Sequence, residues 1–215
     1  MEIQHRINII LHVTGGVLSL AAGFAAVSVS KRSRYHRLFG RYFMWAMLLV
    51  ILTALSGVIV FRRNSFLLLI TLLSGYTCFS GFRVIRLKGQ RPKWADCCVA
   101  VLVMAAALYY LYYLRQTALY WAPVITYSTI GVICFIALYD LARLFLPLGF
   151  LKRAVFYEHV YKMISALSGL VSAFCGTVLP QYKPYSQFLP SVIGLLSIIV
   201  IFIGFGKKNS LCAQL

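Results

Sequence analysis

The chain has 215 residues, 61% hydrophobic and 12% charged, with a mean hydropathy of +0.86 and a formal charge of +17. So apolar a composition excludes an ordinary water-soluble domain, in which charged residues take about twice that share. The Lys and Arg residues lie between long apolar runs, which argues against nucleic-acid binding and for charges that flank membrane spans.

A helix needs roughly 20 apolar residues to cross about 30 Å of hydrocarbon. Seven such runs follow one another, at about 8–30, 42–61, 65–86, 95–114, 124–146, 155–179 and 190–206. The predicted fold is therefore all-α, a single-domain bundle of seven transmembrane helices.

The first run is too long for a signal-peptide h-region of about 7–15 residues, although "AAG" at Ala21–Gly23 would suit a cleavage site. Along it His12, Gly16, Ser19, Gly23, Ala26 and Ser30 alternate steps of four and three, which keeps them on one helix face. Small residues on a face let helices approach closely in lipid. The connection "KRSRYHRLFGR" carries His36, Arg37 and Arg41 and reads as a charged loop, with Gly40 relieving a tight turn into the second span. The third run repeats the small-residue device at Thr71, Ser74, Cys78 and Gly81, and Arg83 stands near its end. After the loop "LKGQRPK" the fourth run opens on Asp96, a carboxylate suited to a helix N-terminus, and closes on "YYLYYL" before an interfacial corner, "RQTALYWAP".

The fifth run ends with Asp140 and Arg143, spaced to pair on their own helix. The sixth opens with "YEHVYKM". There Glu158 and Lys162 form a favourable i, i+4 pair, Glu158 suits a helix N-terminus, and Lys162 would snorkel to the interface beside Tyr157 and Tyr161. His159 has no such partner. Beyond it Ser165, Gly169, Ser172 and Gly176 continue the small-residue face, and "KPYSQFLP" leads into the seventh run. "LSG" recurs at 55–57, 73–75 and 167–169, which favours packing over a serine nucleophile at Ser168. The six cysteines, Cys78, Cys97, Cys98, Cys134, Cys175 and Cys212, show neither CxxC nor CxxCH spacing and read as small apolar filler.

Lys and Arg set the expected orientation. Fifteen fall within 31–41, 83–93, 143–153 and 207–208, against five on the other side: Arg6, Arg62, Arg63, Arg115 and Lys183. The positive-inside rule then puts the N-terminus outside and the C-terminus inside. On that topology His36, Asp140, Glu158, His159 and Lys162, with Arg41 nearby, would gather at the inner face. Intramembrane ionisable groups are costly and mark sites by default. The competing reading leaves Asp140, Glu158 and Lys162 in self-contained interfacial pairs.

Two cofactor chemistries fit the residue types. His36 and His159 with Asp140 or Glu158 would suit zinc, though no local spacing supports a ligand set. A b-type haem would need two histidines at one depth. His12 and His159 lie about 15–20 Å apart along the membrane normal, so only His36 with His159 is conceivable, and His36 reads as a loop residue.

The blocks "HVTGG…AAG" in the first run, "HRLFGRYFMWAM", "GYTCFSGFR" at 75–83, and "HVYKM" with "SAF" in the sixth run resemble a family of uncharacterised bacterial polytopic membrane proteins, classed as a domain of unknown function. The resemblance covers most of the chain. It implies a multi-pass protein of the bacterial inner membrane with a polar signature of His12, His36, Arg37, Gly40, Arg83 and His159. It implies no reaction, substrate or cofactor.

Three functions remain open. The first is a binding or accessory protein whose inner-face group holds a polar headgroup, quinone or metal, with the bilayer and its anionic headgroups as partners. The second is a haem- or metal-dependent redox protein or metalloenzyme. The third is a small transporter, which lacks the broken helices and internal repeat common in transporters.

Overall fold

The computed structural model describes residues 2–31, 33–61, 66–117 and 123–212. Among them are seven α-helices: α1 (Glu2–Ser28), α2 (Arg34–Ile59), α3 (Phe66–Leu87), α4 (Trp94–Thr117), α5 (Pro123–Ala142), α6 (Leu148–Val178) and α7 (Tyr185–Cys212). A 3-10 turn at Pro180–Tyr182 precedes α7, and no strand occurs among the described residues. Each of the seven is long and apolar enough to cross a membrane. The chain is an integral, multi-pass membrane protein. The breaks expected at "RRN" and around "ALYWA", together with Arg32 and the side chains of Lys207 and Lys208, lie outside the described residues.

Two boundaries differ from expectation in ways that move the site. Ser33 caps α2, its Oγ accepting the Tyr35 amide at 3.0 Å. An N-cap of this kind satisfies one of the free amides of a first turn. Helix α2 therefore begins at Arg34, eight residues before the predicted span, and "HRLFGR" is helical rather than a loop. Gly40 lies within that helix with open space around it, so it makes no turn. Likewise α6 starts at Leu148, just after Pro147, which has no amide to leave unpaired. At 31 residues α6 is about 46 Å long. Glu158 sits ten residues inside it, so it is not an N-terminal carboxylate.

Helices α3 and α6 pack together at the centre, with α2, α4 and α5 also against α3, and α1 and α7 against α6. Small residues on both make the approach close. A Cβ at Gly81 would fall 3.0 Å from Lys162 Cβ and from Met163 Sδ, and one at Gly169 would collide with the Ser74 hydroxyl. On α1 the buried face runs through Gly15, Ser19, Gly23 and Ala26. Gly15 replaces the expected Gly16, which faces open space. Between helices in lipid, dispersion and shape fit replace the hydrophobic drive. Phe43, Met47 and Val50 of α2 interlock with Ala166, Leu167 and Leu170 of α6. The loop after α3 turns at Lys88 and Gly89, with φ of 50° and 77°. A Cβ on Gly89 would lie 2.6 Å from Lys152 Cα, so this loop rests directly on the start of α6.

Candidate functional site

The residues expected to cluster fall into two separate groups, carried by neighbouring residues of α6. The first is buried among α3, α5 and α6. Lys162, 1% exposed, donates to Asp140 Oδ1 at 2.5 Å and to Ser80 Oγ at 2.7 Å. The other Asp140 oxygen accepts from Tyr76 at 2.8 Å and from Ser80 at 2.5 Å. Glu158 accepts from Tyr139 at 2.8 Å and meets Arg143, 2% exposed, at 3.3 Å. Lys162 stands 3.8 Å from Glu158.

These contacts correct two expectations and bear out a third. Asp140 and Arg143 do not pair on their own helix; each takes its partner from α6. Lys162 does not snorkel, because Asp140 holds it inside the bundle. The i, i+4 pair of Glu158 and Lys162 forms as expected and is the longest ion pair in the network. Two carboxylates and two cations make the group neutral, which is the condition under which charge is tolerated away from water.

The second group lines a cavity of about 610 Å3 between α1, α2, α3, α6 and α7. The early start of α2 decides its chemistry. His36, Arg37, Gly40, Arg41 and Met44 recur at helical spacing, so one face of the first turns points inward. On α6 the lining residues Phe156, His159, Val160, Met163 and Leu167 follow the same rule. Among the described residues, the lining apart from Lys31, His36, Arg37, Arg41 and His159 is apolar or glycine, with no carboxylate.

Both cavity histidines are held by main-chain carbonyls. His36 Nδ1 lies 2.8 Å from Ala26 O, in the last turn of α1, and His159 Nδ1 lies 2.9 Å from Gly81 O of α3. A carbonyl only accepts, so each Nδ1 carries the proton and each Nε2 is left with its lone pair in the neutral ring. The last carbonyls of a helix lack amide partners. His36 therefore caps α1, and Lys31 does the same at Val27 O, 2.8 Å away. Partial burial lowers the pKa of the Lys31 ammonium. Among the described residues, Arg37, Arg41 and both Nε2 atoms have no hydrogen bond or ion pair.

The remaining candidates stand apart. His12 Nδ1 lies 2.9 Å from the Thr53 hydroxyl. That hydroxyl already donates to Leu49 O at 2.7 Å, so His12 is the donor. Arg83 is committed to Asp96 through two nitrogens, at 2.5 and 3.0 Å, and Asp96 also accepts the Lys93 amide at the start of α4. The zinc set of His36, His159 and Asp140 is not assembled: the histidines line the cavity while Asp140 is enclosed in the neutral network. Among the described residues, no group of three or more His, Cys, Asp or Glu is placed to hold a metal ion. Ser168 donates to Ser165 O on its own helix, a packing role.

Sequence reading missed Arg143, Tyr76, Ser80 and Tyr139 as network members. The four-residue spacing of Tyr76 and Ser80 on α3 was the available signal. It also passed over Lys31 as a cavity residue. Comparison of the chain with protein-family models, with curated proteins and with solved structures returned no match.

Proposed function

We propose that the protein binds an amphiphile with an anionic head in the cavity between α1, α2 and α6. The carrying observation is a charge count. The sequence has four acidic side chains, Glu2, Asp96, Asp140 and Glu158. Arg83 takes Asp96, and Lys162 and Arg143 take Asp140 and Glu158. Glu2 belongs to the first turn of α1, the helix whose last turn is capped at the cavity. Nothing in the described chain neutralises Lys31, Arg37 and Arg41, so their counter-charge comes from a bound or surrounding molecule. The apolar remainder of the lining suits a hydrophobic body, and a cavity of this size falls in the usual range for small-molecule sites, about 300–1,000 Å3.

The asymmetry of Lys and Arg supports a cytoplasmic position for this end of the bundle, and the resembling blocks support a bacterial inner membrane. On this reading the protein is a binding or accessory component that holds its ligand at the level of the inner headgroups. The test is native mass spectrometry of the full chain released from mild detergent. The wild type should carry an anionic amphiphile, and Arg37→Gln/Arg41→Gln should lose it. A wild type that carries none, or a double variant that keeps it, would overturn the proposal.

A further inference from the structure

We infer that the occupant of this cavity is a haem whose iron takes Nε2 of His36 and Nε2 of His159 as its two axial ligands. The inference rests on the anionic-amphiphile reading and narrows it. A lipid head needs cations and an apolar lining but has no use for two imidazoles. The cavity receives two of the four histidines in the chain, from two different helices, α2 and α6.

Both rings are held by the same kind of contact. Each Nδ1–H is tied to a backbone carbonyl, Ala26 O or Gly81 O, which fixes the tautomer and leaves Nε2 as the ligating atom. Metal-bound histidines are held by this kind of outer contact. Neither Nε2 has a partner among the described residues. The start of α2 at Arg34 removes the objection that His36 belongs to a loop.

The rest of the lining answers the other parts of the ligand. A porphyrin is a flat apolar ring, and Phe43, Phe82 and Phe156 stand in the wall. Its two propionates are carboxylates, and Lys31, Arg37 and Arg41 meet no anion among the described residues. Two imidazoles, an apolar wall with aromatic rings and surplus cations together match haem in a way that each alone does not.

The test is an absorbance spectrum of the full chain in detergent, as purified and after titration with hemin. The expected result is a Soret band with the sharp reduced bands of a six-coordinate low-spin iron. His36→Ala and His159→Ala should each turn the spectrum high-spin and weaken hemin binding by more than roughly tenfold. Added imidazole should restore the low-spin form in His159→Gly, and His12→Ala should leave the spectrum unchanged. Should the histidine variants fail to fold, magnetic circular dichroism of the hemin-loaded wild type reads bis-imidazole ligation directly. The inference is overturned by a wild type that gives no Soret shift with hemin, by a spectrum indifferent to both histidines, or by a dichroism signature other than bis-imidazole. Retention of an anionic lipid through Arg37 and Arg41 without haem would overturn this inference and leave the broader function standing. Retention of neither would remove both.

Discussion

Glu158 and His159 are neighbours on one helix and belong to opposite kinds of environment. Glu158 enters a network in which two carboxylates meet two cations and the tyrosine and serine hydroxyls supply further bonds. His159 enters a cavity whose lining, among the described residues, holds three cations, two imidazoles and no carboxylate. Charges that cancel inside the bundle hold α3, α5 and α6 in register. Charges left open among the described residues are what the binding proposal rests on. On the proposed reading, a structural use and a binding use of ionisable residues lie within one turn of α6.

The comparison can be broken most severely at Lys162. Lys162→Met leaves Asp140 buried without its cation, and removing one partner of a buried pair costs about 3–5 kcal/mol. Unfolding in mixed micelles should show a loss of that size, and adding Asp140→Asn should recover part of it. Ligand retention per folded molecule should stay near that of the wild type. Gly89→Ala should come next. Its φ of 77° and the nearby Lys152 backbone leave no room for a methyl group, at a cost of about 1–3 kcal/mol. Because this loop braces the start of α6, both groups should loosen together, seen as faster amide exchange on either side of that helix.

His159→Ala sharpens the contrast. Losing the bond to Gly81 O should cost about 1 kcal/mol by the same unfolding measurement, yet ligand retention should fall much further than in Lys162→Met. A His159 variant that keeps its ligand while Lys162→Met loses it would reverse the assignment. The smallest stability effect belongs to Arg37→Gln/Arg41→Gln. These exposed side chains bond to nothing in the described chain, so stability should move by no more than about 0.5 kcal/mol. A larger drop would mean that they hold the fold rather than a ligand.

The architecture was legible because lipid imposes it: seven runs of sufficient length, broken by charge, Pro and Gly, became seven helices. Boundaries were less so. "KRSRYHRLFGR" looks like a loop by charge density, but Ser33 is a good cap, and basic side chains at headgroup level need not end a helix. Partnering was the least legible. Asp140 and Arg143 invite a local pair, as do Glu158 and Lys162, yet the bundle exchanges them across α5 and α6. Burial favours the exchange, since Tyr76 and Ser80 then bond Asp140, and Tyr139 bonds one oxygen of Glu158, from neighbouring helices. Spacing along one helix carries no information about that choice. The surplus of cations over carboxylates was visible in the composition, but its place in the fold was not.

The most direct measurement compares binding of short-chain phosphatidylglycerol and phosphatidylcholine to the delipidated full chain, in wild type and in Arg37→Gln/Arg41→Gln. An uncompensated basic cavity predicts that the wild type prefers the anionic lipid by roughly tenfold or more, from charge-assisted contacts of about 1.5–3 kcal/mol each, and that the double variant loses the preference at unchanged stability. Equal affinity for both lipids in the wild type, or a preference that survives the double substitution, would contradict it.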